Sequence, residues 1–263
     1  MNVQTTKRLD FFIVGAQKSG TTALSAKLAH HPGLHFAVPK ELHLFDNDSR
    51  NWASGIVPDL KAHFPGASTN TLWGEATPIY LYWPRAIERL ARYNRRAKII
   101  ITLRHPAYRA LSHWKMETAR DMERLSFQQA ISEQGRARVK GSHRVFSYVE
   151  RGLYAPQIAR VLTHFPRENV FFLRMEALYT EEAKVLQAIL EFLGVDPTIS
   201  RTEPQYVVPI DTSAIAVDAR EEIAYLSELY RADICETARL TGLNLGSWLD
   251  GTYEESYIAF RRQ

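Results

Sequence analysis

A single cysteine, Cys235, is all that the 263 residues carry. One thiol excludes an intramolecular disulfide and a zinc site built from cysteines, and it makes a reducing compartment the default. Cys235 is expected to be a buried structural residue rather than a nucleophile. Long apolar runs are also missing. No window approaches ~18 uninterrupted apolar residues, so no membrane span and no membrane partner are expected. Residues 1–10 are polar and lack the apolar core of an export signal, which points to a cytoplasmic protein. No run of like charge is long enough to form a nucleic-acid tail, so no nucleic-acid partner is expected. Internal repeats and low-complexity stretches are absent as well. The net charge is only +4. Such a small basic excess fits a polyanionic small molecule, an acidic acceptor or weak nucleic-acid binding and does not choose among them.

What is present suits one sizeable core. The chain is 45% hydrophobic and 24% charged, the ordinary globular range, and 263 residues are expected to form a single domain with its core over 8–245. Short apolar strands are predicted at 11–14, 34–36, 72–75, 98–103 and 170–173, bounded by Gly, Pro and charged residues. Helical spacing follows at 23–28, 84–93, 108–117, 153–164, 181–193 and 219–241. Strands alternating with helices predict an α/β fold with a mainly parallel central sheet flanked by helices. Residues 135–144, basic and with two glycines, are predicted to form a mobile surface loop.

The first strand runs directly into Gly15-Ala16-Gln17-Lys18-Ser19-Gly20-Thr21-Thr22, which opens a helix. Backbone N–H groups at a helix start have no intrahelical acceptor, and the helix dipole favours an anion there. Gly15 and Gly20 allow a tight turn and close approach to phosphate oxygens, while Thr21 and Thr22 add hydroxyl donors. The spacing is P-loop-like, but Thr21 stands where the triphosphate-binding lysine belongs, and the lysine, Lys18, lies inside the loop. A triphosphatase also needs a strand-end Asp for magnesium; the strand 98–103 ends in Arg104. No metal is therefore expected. Arg104-His105-Pro106 opens the next helix, with Ser112 eight residues on. An arginine fork suits a phosphate dianion, and a serine hydroxyl completes its shell.

Pro39-Lys40-Glu41-Leu42-His43-Leu44-Phe45-Asp46 is dense in groups able to move protons. Extended backbone would put Glu41 and His43 on one face, and either could accept a proton near neutral pH.

The loop 15–22 resembles the 5′-phosphosulfate loop (K-x-G-T-[TS]) of sulfotransferases that use 3′-phosphoadenosine 5′-phosphosulfate (PAPS). Residues 104–112 resemble that family's 3′-phosphate motif, with Arg104, Pro106, Arg109 and Ser112 in register and His105 replacing an acid or amide. Residues 40–46 resemble the K-E-x-H-F-F-D segment of the heparan-sulfate-type and bacterial branch, with Leu44 for one Phe. Gly74-Glu75-Ala76-Thr77-Pro78-Ile79-Tyr80 and Arg151-Gly152-Leu153-Tyr154 are similar to further family segments; Ala76 replaces a lysine that many members carry.

The resemblance implies a P-loop-like three-layer fold and PAPS as co-substrate, without metal. The implied donor-binding residues are Gly15, Gln17, Lys18, Ser19, Gly20, Thr21, Thr22, Arg104 and Ser112. Lys18 would stabilise the bridging oxygen, and Glu41 would be the base, with His43 second. The acceptor would be a small molecule or glycan-like compound bearing a hydroxyl or amine. The family's C-terminal basic loop over the nucleotide has no match, and Val208-Pro209-Ile210-Asp211 is its shortened candidate. Two alternatives stay open: a P-loop kinase or triphosphatase, and a non-catalytic nucleotide-binding protein.

Overall fold

The strand predicted from the apolar run after Asp10 is β1, Phe11–Gly15, in which every residue is buried. It lies at the centre of a five-stranded sheet in the computed structural model, which describes residues 7–54, 60–68, 70–140, 143–198, 210 and 212–255. The others are β2 (Leu34–Phe36), β3 (Leu72–Ala76), β4 (Lys98–Leu103) and β5 (Val170–Arg174), in the order β2-β3-β1-β4-β5. The pairs β1–β3, β1–β4 and β2–β3 are parallel, as βα alternation requires. The fold is α/β, P-loop-like, with helices flanking the sheet.

The described residues group into two compact units. The first takes residues 7–16, 20–102 and 160–198, and the second takes 17–19, 103–159, 210 and 212–255. In the first unit, alternation along β1 sends side chains to both faces. Phe11 and Ile13 join a core with Leu24 and Leu28 of α1 (Thr21–Leu28) and with Leu186, Ile189 and Leu193 of a later helix, Glu182–Leu193. Phe12 points the other way, into an edge-to-face cluster with Phe45 and with Tyr93 of α2 (Ala86–Tyr93). These layers hold Gly15 and Phe45 in fixed places.

In the second unit, α3 (Pro106–Ala119) begins two residues earlier than its apolar periodicity suggests, because proline is favoured at the first helical position. The helix α4 (Tyr154–His164) has its N-terminus capped by Asp233, which accepts from the Tyr154 and Ala155 N–H groups at 2.8 and 3.1 Å. The helix at Glu182–Leu193 is α5, stopped by Gly194 at φ 78°, and Asp233 belongs to α6 (Arg220–Thr241).

Two expectations are corrected here. The stretch 135–144 is not a loop through its length: Glu133–Arg136 and Ala137–Lys140 are helical turns. Ser132 caps them by accepting from the Gly135 N–H at 3.1 Å, and Arg138 pairs with Glu123 at 2.8 Å. Cys235 is exposed, because the 100° step along α6 that buries Ile234 turns the next residue to solvent. No helix among the described residues is long and apolar enough to cross a membrane.

Candidate active site

Gly15 and Gly20 have separate physical reasons. A Cβ on Gly15 would lie 2.7 Å from Leu81 Cβ and 3.0 Å from the Pro78 carbonyl oxygen. Gly20 takes φ 81°, a left-handed conformation that glycine adopts without strain, and it is the N-cap of α1 with no side-chain capping bond. Thr21 and Thr22 therefore lead a helix whose first N–H groups have no intrahelical acceptors. Between the glycines, the loop tip is anchored in the second unit. Gln17 Oε1 accepts from Arg151, and the Lys18 carbonyl accepts from Arg104 Nη1 at 3.2 Å. Lys18 itself is half-buried, at φ 67°.

Arg151 is buried and also donates to Ser147 Oγ at 2.8 Å, while Tyr154 Oη donates to the Arg104 carbonyl at 2.9 Å. The segment 151–154 thus braces both the loop tip and the end of β4. Arg151 and Tyr154 had no assigned role from sequence, although their motif was visible. Arg104 is buried and holds Glu255: Nε donates to Oε1 at 2.8 Å and Nη2 to Oε2 at 2.5 Å. Ser112 is half-buried in the second turn of α3. Arg109, in register with the same motif, is fully buried and donates to the Tyr148 carbonyl, so here it braces the fold.

The proton-handling segment differs from expectation in its backbone. Glu41 and His43 do not share a face of an extended strand: both are left-handed, at φ 65° and 50°. The turn nevertheless brings them together, with His43 Nε2 at 3.6 Å from Glu41 Oε2. On its other side, His43 Nδ1 is 2.9 Å from Asp46 Oδ2, and Lys40 donates to Glu41 Oε1 at 2.7 Å. Asp46 is fully buried, whereas the Glu41 and His43 side chains are 40% and 50% exposed. Bonding to Asp46 first and Glu41 second pushes His43 up to about 9 against the opposing effect of burial. Burial pushes Glu41 upward, but His43 and Lys40 together outweigh it and hold the carboxyl at about 2. Between these values Glu41 is a carboxylate and His43 an imidazolium. Asp46 was overlooked from sequence, although it stands three residues after His43 in the quoted motif.

Glu75 explains how such a turn is held. This carboxyl at the end of β3 is 1% exposed. Its Oε1 accepts from Thr77 Oγ1, from Tyr80 Oη at 3.1 Å and from the Leu42 N–H at 3.2 Å. Tyr80 Oη in turn accepts from the Leu44 N–H at 3.0 Å. One buried carboxyl and one phenol thereby fix the backbone on either side of His43. Glu75 is a positioning residue that composition could not reveal.

Burial pushes Glu75 up to about 7, more than its three donors pull it down. The sign follows. A carboxyl held above its ordinary 4.5 keeps its proton in the folded state after the unfolded chain has lost it. Stability therefore falls as pH rises from about 4.5 to about 7. At ~1.4 kcal/mol per pKa unit, the fall is on the order of 3–4 kcal/mol. Glu75→Gln should remove this decline, because the amide keeps the Oε1 acceptor and never ionises. Urea titrations of both proteins at pH 5 and pH 8 check it; parallel losses in the two proteins would rule out a strained Glu75.

In the second unit a cavity of about 500 Å³ lies beside Tyr108, Trp248 and Tyr253. Among the described residues, no three His, Cys, Asp or Glu side chains converge as a metal-binding group. Val208, Pro209 and Asp211, part of the candidate nucleotide cap, lie outside the described residues.

A family model described as "Sulfotransferase domain" matches residues 8–208. Mouse heparan sulfate glucosamine 3-O-sulfotransferase 5 is 28% identical over 193 residues, covering 72% of this chain and 54% of that protein. Mouse bifunctional heparan sulfate N-deacetylase/N-sulfotransferase 1 is 31% identical over 199 residues, covering 71% of this chain and 22% of its own length. The chain thus spans about half or less of the length of these relatives. Among solved structures, a sulfotransferase from Alicyclobacillus acidocaldarius is 30% identical with a TM-score of 0.73, covering 93% of this chain and 100% of that one. Mouse sulfotransferase SULT7A1 complexed with PAP shares the fold at 16% identity and a TM-score of 0.51, covering 89% and 85% of the two chains. With a family match across most of its length, and with Gly15–Thr22, Glu41–Asp46 and Arg104–Ser112 all inside it, the chain belongs to the sulfotransferase family.

Proposed function

We propose that residues 1–263 act as one sulfotransferase domain that moves a sulfuryl group from PAPS to a hydroxyl or amine on a small-molecule or glycan-like acceptor. The carrying observation is the hydrogen-bonded Glu41–His43–Asp46 array, set by Glu75 and Tyr80 in the unit that also holds Gly15, Gly20, Thr21 and Thr22. A nucleotide-binding protein without chemistry has no need of a carboxylate kept in base form beside a locked imidazolium.

The donor carries phosphate at both ends of its ribose. Gly15, Gly20 and the N–H groups and hydroxyls of Thr21 and Thr22 would hold the 5′-phosphosulfate, with Gln17 and Ser19 shaping the loop. Arg104 and Ser112 would take the 3′-phosphate. The donor supplies an electrophilic sulfur whose bond to the bridging oxygen breaks as the acceptor oxygen or nitrogen bonds to it. Glu41 accepts the acceptor's proton, and His43, held by Asp46, keeps that carboxylate oriented and ionised until the transfer. Lys18 stabilises the charge that grows on the bridging oxygen. The product is adenosine 3′,5′-bisphosphate. The likeness to heparan sulfate 3-O- and N-sulfotransferases supports an acceptor of glycan type.

Calorimetry tests the donor. Adenosine 3′,5′-bisphosphate should bind without divalent cation and more tightly than ATP with magnesium. Tight ATP–magnesium binding with none of the bisphosphate would point instead to triphosphate chemistry and overturn the proposal.

A further inference from the structure

The anion fork expected to read the 3′-phosphate holds a carboxylate of the same chain. Arg104 Nε donates to both oxygens of Glu255, at 2.8 and 3.0 Å, and Nη2 donates at 2.5 Å. The two side chains are 8% and 1% exposed. This bidentate geometry is the one a guanidinium offers to a carboxylate or a phosphate alike. The segment that brings Glu255 there is seated on the neighbouring residues of the same motif. The Tyr253 ring stacks on His105 at 4.9 Å and 13°, the Tyr253 carbonyl accepts from Tyr108 Oη at 3.1 Å, and His105 Nε2 lies 3.2 Å from the Trp248 carbonyl. His105 is the position where the motif departs from the family pattern, and it serves as the platform for this strap. The strap follows α6, beyond the residues 8–208 that the family model matches.

We infer that residues 250–255 form an internal competitor for the donor: Glu255 occupies the 3′-phosphate fork of Arg104, and a 3′-phosphorylated nucleotide must displace it to bind. This inference deepens the proposed function and rests on its donor assignment. The physical basis is exclusion of like charge. A carboxylate and a phosphate dianion cannot share one buried guanidinium without repelling each other at contact distance, so the two occupants alternate. Occupancy by Glu255 lowers the fraction of molecules competent for the nucleotide, and the apparent dissociation constant rises in proportion. Nucleotides without a 3′-phosphate make no use of the fork and are indifferent to the strap.

The test compares adenosine 3′,5′-bisphosphate with adenosine 5′-monophosphate on the full chain and on Glu255→Gln, by calorimetry. Glu255→Gln should tighten the bisphosphate by about tenfold or more while moving the monophosphate by less than about twofold. Equal bisphosphate affinity in the two proteins, or equal tightening of both nucleotides, overturns the internal competitor and leaves the donor assignment standing. Bisphosphate binding to neither protein removes the donor assignment and the inference together. A measurement on the unaltered chain guards against a misfolded variant. The amides of Thr252 and Tyr253 are bonded to Asp250 at 2.9 and 3.0 Å, and their hydrogen exchange should accelerate when the bisphosphate binds. Unchanged or slower exchange there would mean that the strap stays in place, and the inference fails.

Discussion

Glu41→Gln should lower turnover by about 10²–10⁴-fold, the usual loss when a general base is removed, while leaving affinity for adenosine 3′,5′-bisphosphate within about twofold. Gln matches Glu in size and keeps an acceptor for Lys40, so the turn at 40–46 is preserved and basicity alone is lost. The choice of Glu41 over His43 rests on their charge states. His43, between Asp46 and Glu41, is pushed up to about 9 and carries its proton at neutral pH, so it has no lone pair to offer. Glu41 is held at about 2 by the neighbouring His43 and Lys40 and is fully ionised there. The pair is intact between these limits: it weakens as pH rises through about 9, when His43 loses its proton, and as pH falls through about 2. Both side chains are 40–50% exposed, so solvent screening makes their contribution to stability small. The value of the pair lies in orientation. An acceptor hydroxyl entering between them would replace His43 as the partner of Glu41, and the carboxylate would regain basicity as that pairing is lost. Single-turnover assays with a sulfuryl acceptor, run on Glu41→Gln and His43→Gln side by side, decide it. Near-normal turnover by Glu41→Gln together with a dead His43→Gln would transfer the base to His43.

Much of this was legible in the sequence because local chemistry fixed it. The run Lys98–Leu103 is apolar, β-branched and closed by Arg-His-Pro, and β4 has those ends. Gly194 stops α5 for a reason carried in the residue itself. The loop 15–22 announced itself by glycine spacing. What stayed hidden depended on partners distant in the chain or on backbone conformations that composition does not encode. Alternation in Lys40–Asp46 suggested a strand face, yet Glu41 and His43 turn left-handed because Glu75 and Tyr80, more than thirty residues on, bond the Leu42 and Leu44 amides. Residues 135–140 looked like a loop from their Gly, Arg and Lys content. Ser132 and Glu123, through a cap and an ion pair, make them helical. Glu255 lies 151 positions from Arg104, and no local pattern connects the two.

Arg104→Ala should weaken adenosine 3′,5′-bisphosphate by about ten- to more than a hundredfold, the ~1.5–3 kcal/mol of a charge-assisted contact. It should weaken adenosine 5′-monophosphate far less, through loss of the Nη1 bond to the Lys18 carbonyl alone. The same substitution strands Glu255, whose side chain is 1% exposed. Removing one partner of a buried ion pair costs about 3–5 kcal/mol, mostly because the other charge is left without compensation. Arg104→Ala is therefore expected to be among the most destabilising single changes in the second unit, for a reason unrelated to nucleotide. The double variant Arg104→Ala/Glu255→Ala separates the two effects. It should recover much of the stability, since no charge remains uncompensated, and none of the bisphosphate affinity, since the fork is still missing. Denaturant titration and calorimetry on the four proteins of this cycle give both quantities independently. Full bisphosphate affinity in a folded Arg104→Ala would take the 3′-phosphate away from Arg104. A double variant no more stable than Arg104→Ala would show that the pair with Glu255 adds nothing to the fold. Because Nε and Nη2 form the one edge that holds Glu255, while Nη1 donates to the Lys18 carbonyl, the two roles draw on the same atoms. Lys in its place would keep a charge for either anion but not the fork that reads both, so Arg104→Lys should fall between wild type and Arg104→Ala in both measurements.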